Sequence, residues 1–424
     1  MNSPTKPSRR LPIVLLPIGL LSLSLGSAAN AATFTRVLQT GQAVPGTKQP
    51  VSGIRSIAID TKQNIVAIVS TPTVTSPRTM SGDGGSNTFQ GFYLFNSALV
   101  PTLIEAAESF SSSSSGRSED FITAGVNGGT AIGLRSSELG SRSSIDFVTK
   151  VKVGKPGALK TFLAANLVTR PSTLIATNTL ALTNGTAFIL GETLPQTTTT
   201  SPLKGVLKTN APDNLTEAIG VTDPVFGAEP FTPLTPGQIV RSSGKNLLLV
   251  TQNASHYRVF KKSGTAAPQQ IANGTTSSID ASSSCGAAIS GNNIVLCAKE
   301  VKPTTTGTNP YSLRVKFGNA APFKTIPFPS NIPIEQPSIV GKTVIFKAFT
   351  STQDKLYVST NANAPVQILA SGDTLDGKIV SKLNLSEQGQ SIVRTTSQGL
   401  NSATTIVFLV TFTDGSVGLY RGAL

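Results

Sequence analysis

The residue types that most often carry catalysis are sparse in this chain of 424 residues. There is one histidine, His256, in the stretch ASHYRVF, and no H-x-x-x-H pair that could bind a metal ion. No G-x-S-x-G motif occurs, so a Ser-His-Asp triad would have to be built on that one histidine. We therefore expect His256 to be a structural residue on a strand, and we expect no catalytic, cofactor-binding or metal-binding residues.

A hydrolytic site could also be formed by carboxylates from distant parts of the chain. Glycoside cleavage needs two carboxyl groups that face each other across the scissile bond. Sequence spacing does not show which acidic residues would face each other in a folded ring of strands. The candidates are Asp60, Glu105, Asp120, Asp146, Glu335, Asp373 and Asp376.

Some acidic residues lie in stretches that are typical of turns. Asp373 and Asp376 lie in SGDTLDG, where Gly372 and Gly377 supply the backbone freedom that a tight turn needs. Asp414-Gly415, in TFTDGSVGLY, is typical of a hairpin turn between two strands. The sequence therefore predicts a structural role for these residues.

The two cysteines, Cys285 and Cys297, lie in the stretch CGAAISGNNIVLC. SGNN is a turn signal between two apolar runs, so the pair is expected on the two arms of one hairpin, nearly opposite each other. In an oxidising compartment such a pair often forms a disulfide. The alternative is a pair of small buried hydrophobic residues, and neither arrangement implies a catalytic thiol.

The composition indicates a folded all-β protein. Charged residues make up 13% of the chain, against about 25% in an average domain, while Ser, Thr, Asn and Gly are plentiful. Few helix formers and many β-branched residues favour strands. The hydrophobic fraction of 38% is too high for a disordered chain.

The N-terminus has the pattern of a secretory signal peptide over residues 1–31. Three basic residues precede an apolar run at 11–26, and a small-x-small cleavage site ends at Ala31. We expect cleavage between Ala31 and Ala32, and a secreted or periplasmic mature protein with no membrane span. An uncleaved membrane anchor is the alternative, although the apolar run is short for one.

Net charge suggests the kind of partner. Removing the signal takes away three of the 35 basic residues and none of the 21 acidic ones, which leaves a net charge of +11. An anionic polysaccharide, an envelope component or a protein would suit such a surface. Beyond the signal the only adjacent basic pair is Lys261-Lys262, so no nucleic-acid partner is expected. A diffusely basic exported protein without such a partner is the alternative.

A unit of four short apolar segments recurs through the chain, about every 57 residues. Residues 334–378 show it most clearly, as IEQPSIV, GKTVIFKAFT, DKLYVST and PVQILASGDTLDG. Each segment is rich in Val, Ile, Phe, Tyr and Thr and is bounded by Gly, Asn, Asp or Pro. This order predicts a four-stranded antiparallel meander, which is the signature of a propeller blade.

The predicted fold is a single seven-bladed β-propeller over residues 32–424, with a six-bladed ring as the alternative. The last unit lacks a fourth strand. The opening phrase VLQTGQAVPG (37–46) aligns without a gap with ILASGDTLDG (368–377), which is a fourth strand and its turn. We therefore expect the N-terminal strand to complete the C-terminal blade. The predicted blades are 51–110, 119–170, 171–222, 230–275, 277–330, 334–378, and 379–424 together with 33–46.

The last two units share a pattern that reads G-D-x-x-x-G, then an apolar strand that contains Val and Phe, then D-G-x-x-G-[IL]-Y. With this pattern they resemble a family of exported bacterial repeat proteins that is frequent in cyanobacteria and planctomycetes. The match covers about 334–424, is recognisable at 37–110, and has Gln42 in place of the Asp in the opening copy. The resemblance implies a propeller-like fold and export, and it implies no catalytic residues. The matching residues are Gly372, Asp373, Gly377, Val407, Phe408, Asp414, Gly415, Gly418, Leu419 and Tyr420.

Three functions remain open at the level of sequence. The one we favour is an exported, monomeric, non-enzymatic binding module without a cofactor, which uses one face of the ring against an acidic glycan, an envelope component or a protein. A lactonase or glycosidase on the same scaffold is the second, and it predicts two or three carboxylates at the mouth of the central channel. A structural surface protein is the third.

Overall fold

A computed structural model describes the protein between residues 32 and 424. The predicted signal peptide, residues 1–31, lies outside the described residues, and so does Cys285. Within residues 32–424 the structure describes all but a set of short segments. These are residues 45–47, 73, 76–85, 112–116, 129, 142–143, 155–159, 164–173, 184–185, 194–200, 210–214, 234–237, 254–255, 279–285, 301–310, 387–390 and 396–402.

The first half of the described chain is made of strands, as the composition predicts. Strand β1 is Thr33–Gln39. The strands β2 to β10 follow in chain order and form one nine-stranded sheet, in which the described pairs are antiparallel. They are Gly53–Ile59, Ile65–Ser70, Val74–Thr75, Ser86–Phe95, Pro101–Ser111, Arg117–Asn127, Thr130–Ser141, Ser144–Gly154 and Lys160–Leu163.

Three four-stranded units come next, each with its strands in sequential order. The third is joined to the second through two residue pairs between β18 and β20. A short 3-10 helix, Pro224–Phe226, lies between the first unit and the second. The units are β11–β14 (Leu174–Thr183, Thr186–Thr193, Lys204–Thr209, Leu215–Gly220), β15–β18 (Ile239–Ser243, Asn246–Gln252, His256–Ser263, Gln269–Ser278) and β19–β22 (Ala287–Ser290, Asn293–Glu300, Tyr311–Lys316, Lys324–Thr325).

The last two sheets contain the units that the sequence marks most clearly. The predicted meander at 334–378 is confirmed, since its four strands pair in sequential order. In the final sheet β1 lies beside β31, which pairs with β30, which pairs with β28 and β29. The strands are β23–β26 (Ile334–Val340, Thr343–Phe349, Asp354–Thr360, Val366–Ala370) and β27–β31 (Thr374–Leu375, Lys378–Asn384, Ile392–Thr395, Ala403–Phe412, Val417–Ala423).

The chain is therefore an all-β propeller with blades of four antiparallel strands. It shows six blades, which was the alternative count, and it does not clearly show the seven that we favoured. The difference lies at β2–β10, where the predicted blades 51–110 and 119–170 form one continuous sheet. Strands β6 and β7 are joined by the pairing of Phe110 with Arg117, so hydrogen bonds do not separate the two predicted blades.

The hydrophobic core lies between neighbouring blades. Ile345 and Leu356, from the meander, pack in one cluster with Phe408 and Val410 of the final sheet, and all four are fully buried. Burying such a side chain contributes about 1.5–3 kcal/mol. Because this cluster draws on two sheets, the meander and the final sheet stabilise each other.

Hydrogen bonds at the turns also tie blades together. Asn246, which begins β16, donates from Nδ2 to the carbonyl of Gly291 at 2.7 Å. Asn293, which begins β20, donates in the same way to the carbonyl of Gly341 at 2.8 Å. Both glycines have a positive φ, of 59° and 55°, so the turns that present these carbonyls adopt a backbone that favours glycine.

The N-terminal strand pairs with the C-terminal strand, as the alignment of the two phrases predicts. Strand β1 runs antiparallel to β31 and skips one residue, Val37, in its register. Strand β26 skips Ile368 against β25 in the same manner, and the alignment places Val37 opposite Ile368. The equivalence therefore extends to the position of a β-bulge, which adds local twist to an outer strand.

The turns after these two strands carry the same hydrogen bonds. The amide of Gly41 donates to Val51, and the amide of Gly372 donates to Val380, at 2.8 and 2.9 Å. The side chain of Gln42 accepts from the amide of Gln39 at 3.0 Å. Asp373 accepts from the amide of Ala370 at 2.7 Å. Gln42 thus replaces the Asp of the repeat without loss of the bond.

Deleting residues 33–46 should destabilise the final sheet more than any other. The deletion leaves β31 as an unpaired edge and removes the buried side chain of Leu38. We expect a lower melting temperature, and hydrogen–deuterium exchange should show loss of amide protection in β30 and β31 while β24 and β25 stay protected.

Leu369→Ala is the matched control, since Leu369 is as buried as Leu38 and occupies the aligned position of an interior blade. It should cost about 2–5 kcal/mol, with its effect centred on β25 and β26. An unchanged melting temperature in the deleted protein would contradict the closure.

Candidate functional site

A segment between β14 and β15 builds one wall of the candidate site. Asp223 caps the 3-10 helix by accepting a hydrogen bond from the amide of Val225 at 3.2 Å, and Pro224 begins it with a backbone suited to a first turn. Phe226 then packs against Phe231 and against Phe260 of β17, with ring centroids 4.9 and 4.7 Å apart. These ring contacts hold the segment against the blade formed by β15–β18.

A cavity of about 270 Å³ lies between this segment and the strands β16 and β17. Its lining is mixed, with an aromatic ring on one side and amide, hydroxyl and charged groups on the other. We call it the inner cavity. It is lined by Pro230, Phe231, Thr232, Gln238, Thr251, Gln252, Asn253, His256 and Arg258.

Two glutamines that line the inner cavity each have a buried carboxamide oxygen without a hydrogen-bond partner among the described residues. These oxygens are Oε1 of Gln238 and Oε1 of Gln252. Gln238 is 4% exposed, and its Nε2 donates to the carbonyl of Gln252 at 3.0 Å. A buried acceptor that lacks a donor costs about 1–3 kcal/mol, so both oxygens favour a donor inside the cavity.

Charged side chains form the boundary of the inner cavity. His256 and Arg258 are two residues apart on β17, so they share one face of the strand. Nε2 of His256 lies 2.8 Å from the carboxylate of Glu229, and Arg258 lies 3.8 Å from the same oxygen. Arg258 also donates to the backbone carbonyls of Phe226 and Glu229. The guanidinium is thereby fixed in place, and we call this group the charged wall.

A second cavity, of about 370 Å³, lies on the other side of the charged wall. We call it the outer cavity, and it shares His256 and Arg258 with the inner one. Its other lining residues are Glu229, Gln270, Asn273 and Gly274. A side chain at Gly274 would clash with the ring of Tyr257, because its Cβ would lie 2.6 Å from that ring.

The turn residues of the family pattern lie in turns. Gly372 and Gly377 have φ values of +94° and +74°, which favour glycine, and Asp373 accepts a backbone hydrogen bond there. Asp376, in the same turn, accepts from the hydroxyl of Tyr420 at 2.9 Å. This bond and burial together raise the pKa of Tyr420. These residues connect the meander to the final sheet.

Asp414 and Gly415 form the turn between β30 and β31. Gly415 has a φ of +81°. The carboxylate of Asp414 accepts from Lys378 at 2.8 Å and from the hydroxyl and amide of Ser416 at 2.6 and 2.9 Å. These hydrogen bonds hold the pKa of Asp414 well below its usual range. These hydrogen bonds give Asp414 a structural role in the turn.

Two of the acidic residues that a hydrolase could use, Asp60 and Glu335, have separate partners. Asp60 closes a turn by accepting from the amides of Lys62 and Asn64, each at 2.9 Å. Glu335 pairs with Lys347 at 2.6 Å in a different sheet. Within the part of the chain that the structure describes, no group of three or more His, Cys, Asp or Glu residues could hold a metal ion. The side chains of Asp120 and Asp146 are outside this part.

The hairpin that carries the cysteines is formed by β19 and β20, with the turn at Gly291. Cys297 is fully buried on β20. Its amide donates to the carbonyl of Gly286 at 2.9 Å, which places the neighbour of Cys285 directly opposite. Since Cys285 lies outside the described residues, the disulfide stays a prediction.

The residues that line the two cavities carry no motif in the sequence. The sequence predicts a structural role for His256, and the structure places it between the cavities. Gln238, Gln252 and Glu229 give no signal, because glutamines and isolated acids match no motif. The one available signal was the alternation in His256-Tyr257-Arg258, which places two basic side chains on one face of a strand.

Comparisons with known proteins show only distant likenesses. No protein-family model matches the chain, and neither does any curated protein. The β-propeller domain of the trilobed protease from Pyrococcus furiosus is 11% identical, with a TM-score of 0.47, over 88% of this chain and 94% of that one.

Two further solved structures are similar at the same distant level. The acylaminoacyl peptidase of Pyrococcus horikoshii is 9% identical, with a TM-score of 0.45, over 86% of this chain and 52% of that one. This chain thus spans about half of that peptidase. The WD40 domain of Toxoplasma gondii coronin is 9% identical, with a TM-score of 0.39, over 93% and 86%. Likenesses of this size carry no information about activity.

The described residues include no helix long and apolar enough to cross a membrane.

Asp414→Asn should lower stability more at neutral pH than in acid. A carboxylate whose folded pKa is depressed stabilises the protein above its unfolded pKa of about 4. That contribution is lost progressively as the pH falls from the unfolded value towards the lower folded one. The gap between the melting temperatures of the two proteins should therefore narrow as the pH is lowered from 7 to 2. A gap that stays constant over this range would contradict the assignment.

Proposed function

We propose that the protein is an exported, non-enzymatic binding module whose inner cavity takes a hydroxyl-rich unit such as a sugar. The observation that carries this proposal is the pair of buried oxygens of Gln238 and Gln252, for which the described residues supply no hydrogen-bond donor. Each needs an O–H or N–H donor, and a sugar hydroxyl supplies one. The ring of Phe231 offers an apolar surface for the carbon face of the sugar.

The positive charge at the boundary of the inner cavity favours a sugar over a cationic donor. An ammonium group would also donate to the two glutamines, but His256 and Arg258 line the same cavity. The guanidinium is permanently charged and repels a cation. A neutral or acidic sugar avoids this repulsion, and the net charge of +11 after removal of the signal favours an acidic glycan.

Gln238→Leu should weaken sugar binding, because leucine keeps the volume of the side chain but removes the acceptor. A neutral hydrogen bond contributes about 0.5–1.5 kcal/mol, so the affinity should fall about two- to tenfold. Isothermal titration calorimetry with neutral hexoses, hexuronic acids and N-acetylhexosamines measures this. Hexuronate affinity should also fall between low and high salt, since ionic interactions are screened.

Gln353→Leu is the matched control, since Gln353 is an exposed glutamine in the turn before β25, away from both cavities. Its affinities should equal those of the unaltered protein. If no sugar of the panel binds the unaltered protein, or if Gln238→Leu binds as tightly as the control, the proposed function is wrong.

Export and the disulfide belong to the same proposal. The signal pattern at 1–31 supports export, and the hydrogen bond from the amide of Cys297 to the carbonyl of Gly286 supports a partner cysteine at 285. Intact mass of the protein recovered from its native host should correspond to a chain that begins at Ala32. Alkylation without a reductant should label neither cysteine. A retained N-terminal segment or two labelled thiols would contradict these points.

We also infer that the nine-stranded sheet bends into two blades, which would restore a ring of seven. Strand β7 contacts β2 and β3 as well as its hydrogen-bonded neighbour β8. In a propeller, the inner strand of one blade packs against the face of the blade before it. The contact of β7 with β2 and β3 is of this kind. The single joining pair, Phe110 with Arg117, is consistent with a bend at that point.

A further inference from the structure

We infer that the outer cavity is a second subsite of the same binding site, so that the ligand is an oligosaccharide of two or more units that crosses the charged wall. This inference rests on the proposed function, because the first unit occupies the inner cavity. Its basis is the arrangement of three neighbouring strands around Arg258.

The pairing of the strands places the two cavities on one face of the sheet. Arg258 of β17 lies directly opposite Thr251 of β16 and Asn273 of β18. Residues that are directly opposite across a ladder share a face. Thr251 lines the inner cavity and Asn273 lines the outer one. A groove therefore runs across the strands, with Arg258 at its middle.

The sizes of the cavities favour a chain over a single unit. Sites for drug-sized ligands typically have about 300–1,000 Å³. The inner cavity, at about 270 Å³, is smaller than this, and the outer cavity adds about 370 Å³. A ligand that fills both has the dimensions of at least two joined sugar units.

The lining of the outer cavity differs from that of the inner one and suits a more exposed unit. Gln270 and Asn273 are exposed, and each amide both donates and accepts hydrogen bonds, as a sugar hydroxyl does. The wall between the units carries His256 and Arg258 with a single carboxylate, that of Glu229. Fixed donors of this kind suit the oxygens of a glycosidic bond and of ring substituents.

A size series tests the second subsite. The probes are glucose with cellobiose and cellotriose, galacturonate with its dimer and trimer, and N-acetylglucosamine with its β-1,4-linked dimer and trimer, all measured by calorimetry. For the series whose monomer binds, we expect the dimer to bind at least about fivefold more tightly. The trimer should add little, since two cavities accept two units.

The double variant Gln270→Ala/Asn273→Ala should bind the monomer as before and lose most of the gain of the dimer. Gln269→Ala is the matched control, because Gln269 is equally exposed on β18 and does not line the outer cavity. If the monomer binds but the dimer gains nothing, or if the double variant keeps the gain, the second subsite is wrong while the proposed function stands. If no monomer and no oligomer binds, both are wrong.

Discussion

The pairing of the first strand with the last one is the constraint on which the rest of this structure depends. Each blade buries its apolar face against its neighbour, so an open ring would leave two faces and one strand edge in water. Strand β1 removes the edge by pairing with β31, and Leu38 and Val44 enter a core with Ile54 and Val407. One strand thus joins the ends of the chain and lets the blades stabilise one another.

The candidate site depends on how the segment between β14 and β15 is held against the blade formed by β15–β18. The segment that forms one wall is irregular, and three phenylalanine rings hold it against β17. Arg258 reinforces it by donating to two of its carbonyls. The oxygens of Gln238 and Gln252 lie beside this segment and have no hydrogen-bond partner among the described residues. Under the proposed function, a sugar hydroxyl supplies the donor that these oxygens lack.

The repeat made much of the fold predictable, and particular strands show why. The segment IEQPSIV coincides with β23, and VLQTGQAVPG matches the outer strand and turn at 368–377 down to one bulge. Alternation and turn residues act locally, so they can be recognised in the sequence. The number of blades could not be predicted equally well, because it depends on how the strands β2 to β10 divide between blades. That is decided by long-range packing.

The sequence by itself determined that the protein is all-β, that a four-stranded unit repeats, and that the N-terminal strand pairs with the C-terminal one. All three follow from local periodicity and from one repeated phrase. Only the tertiary structure decided where a ligand could bind. Glu229 and Gln238 precede β15 while Arg258 lies on β17, and the three have no characteristic spacing. They meet because the segment after β14 folds back over β16 and β17, and two buried oxygens are then left without a donor among the described residues. Spacing along the chain carries no record of that burial.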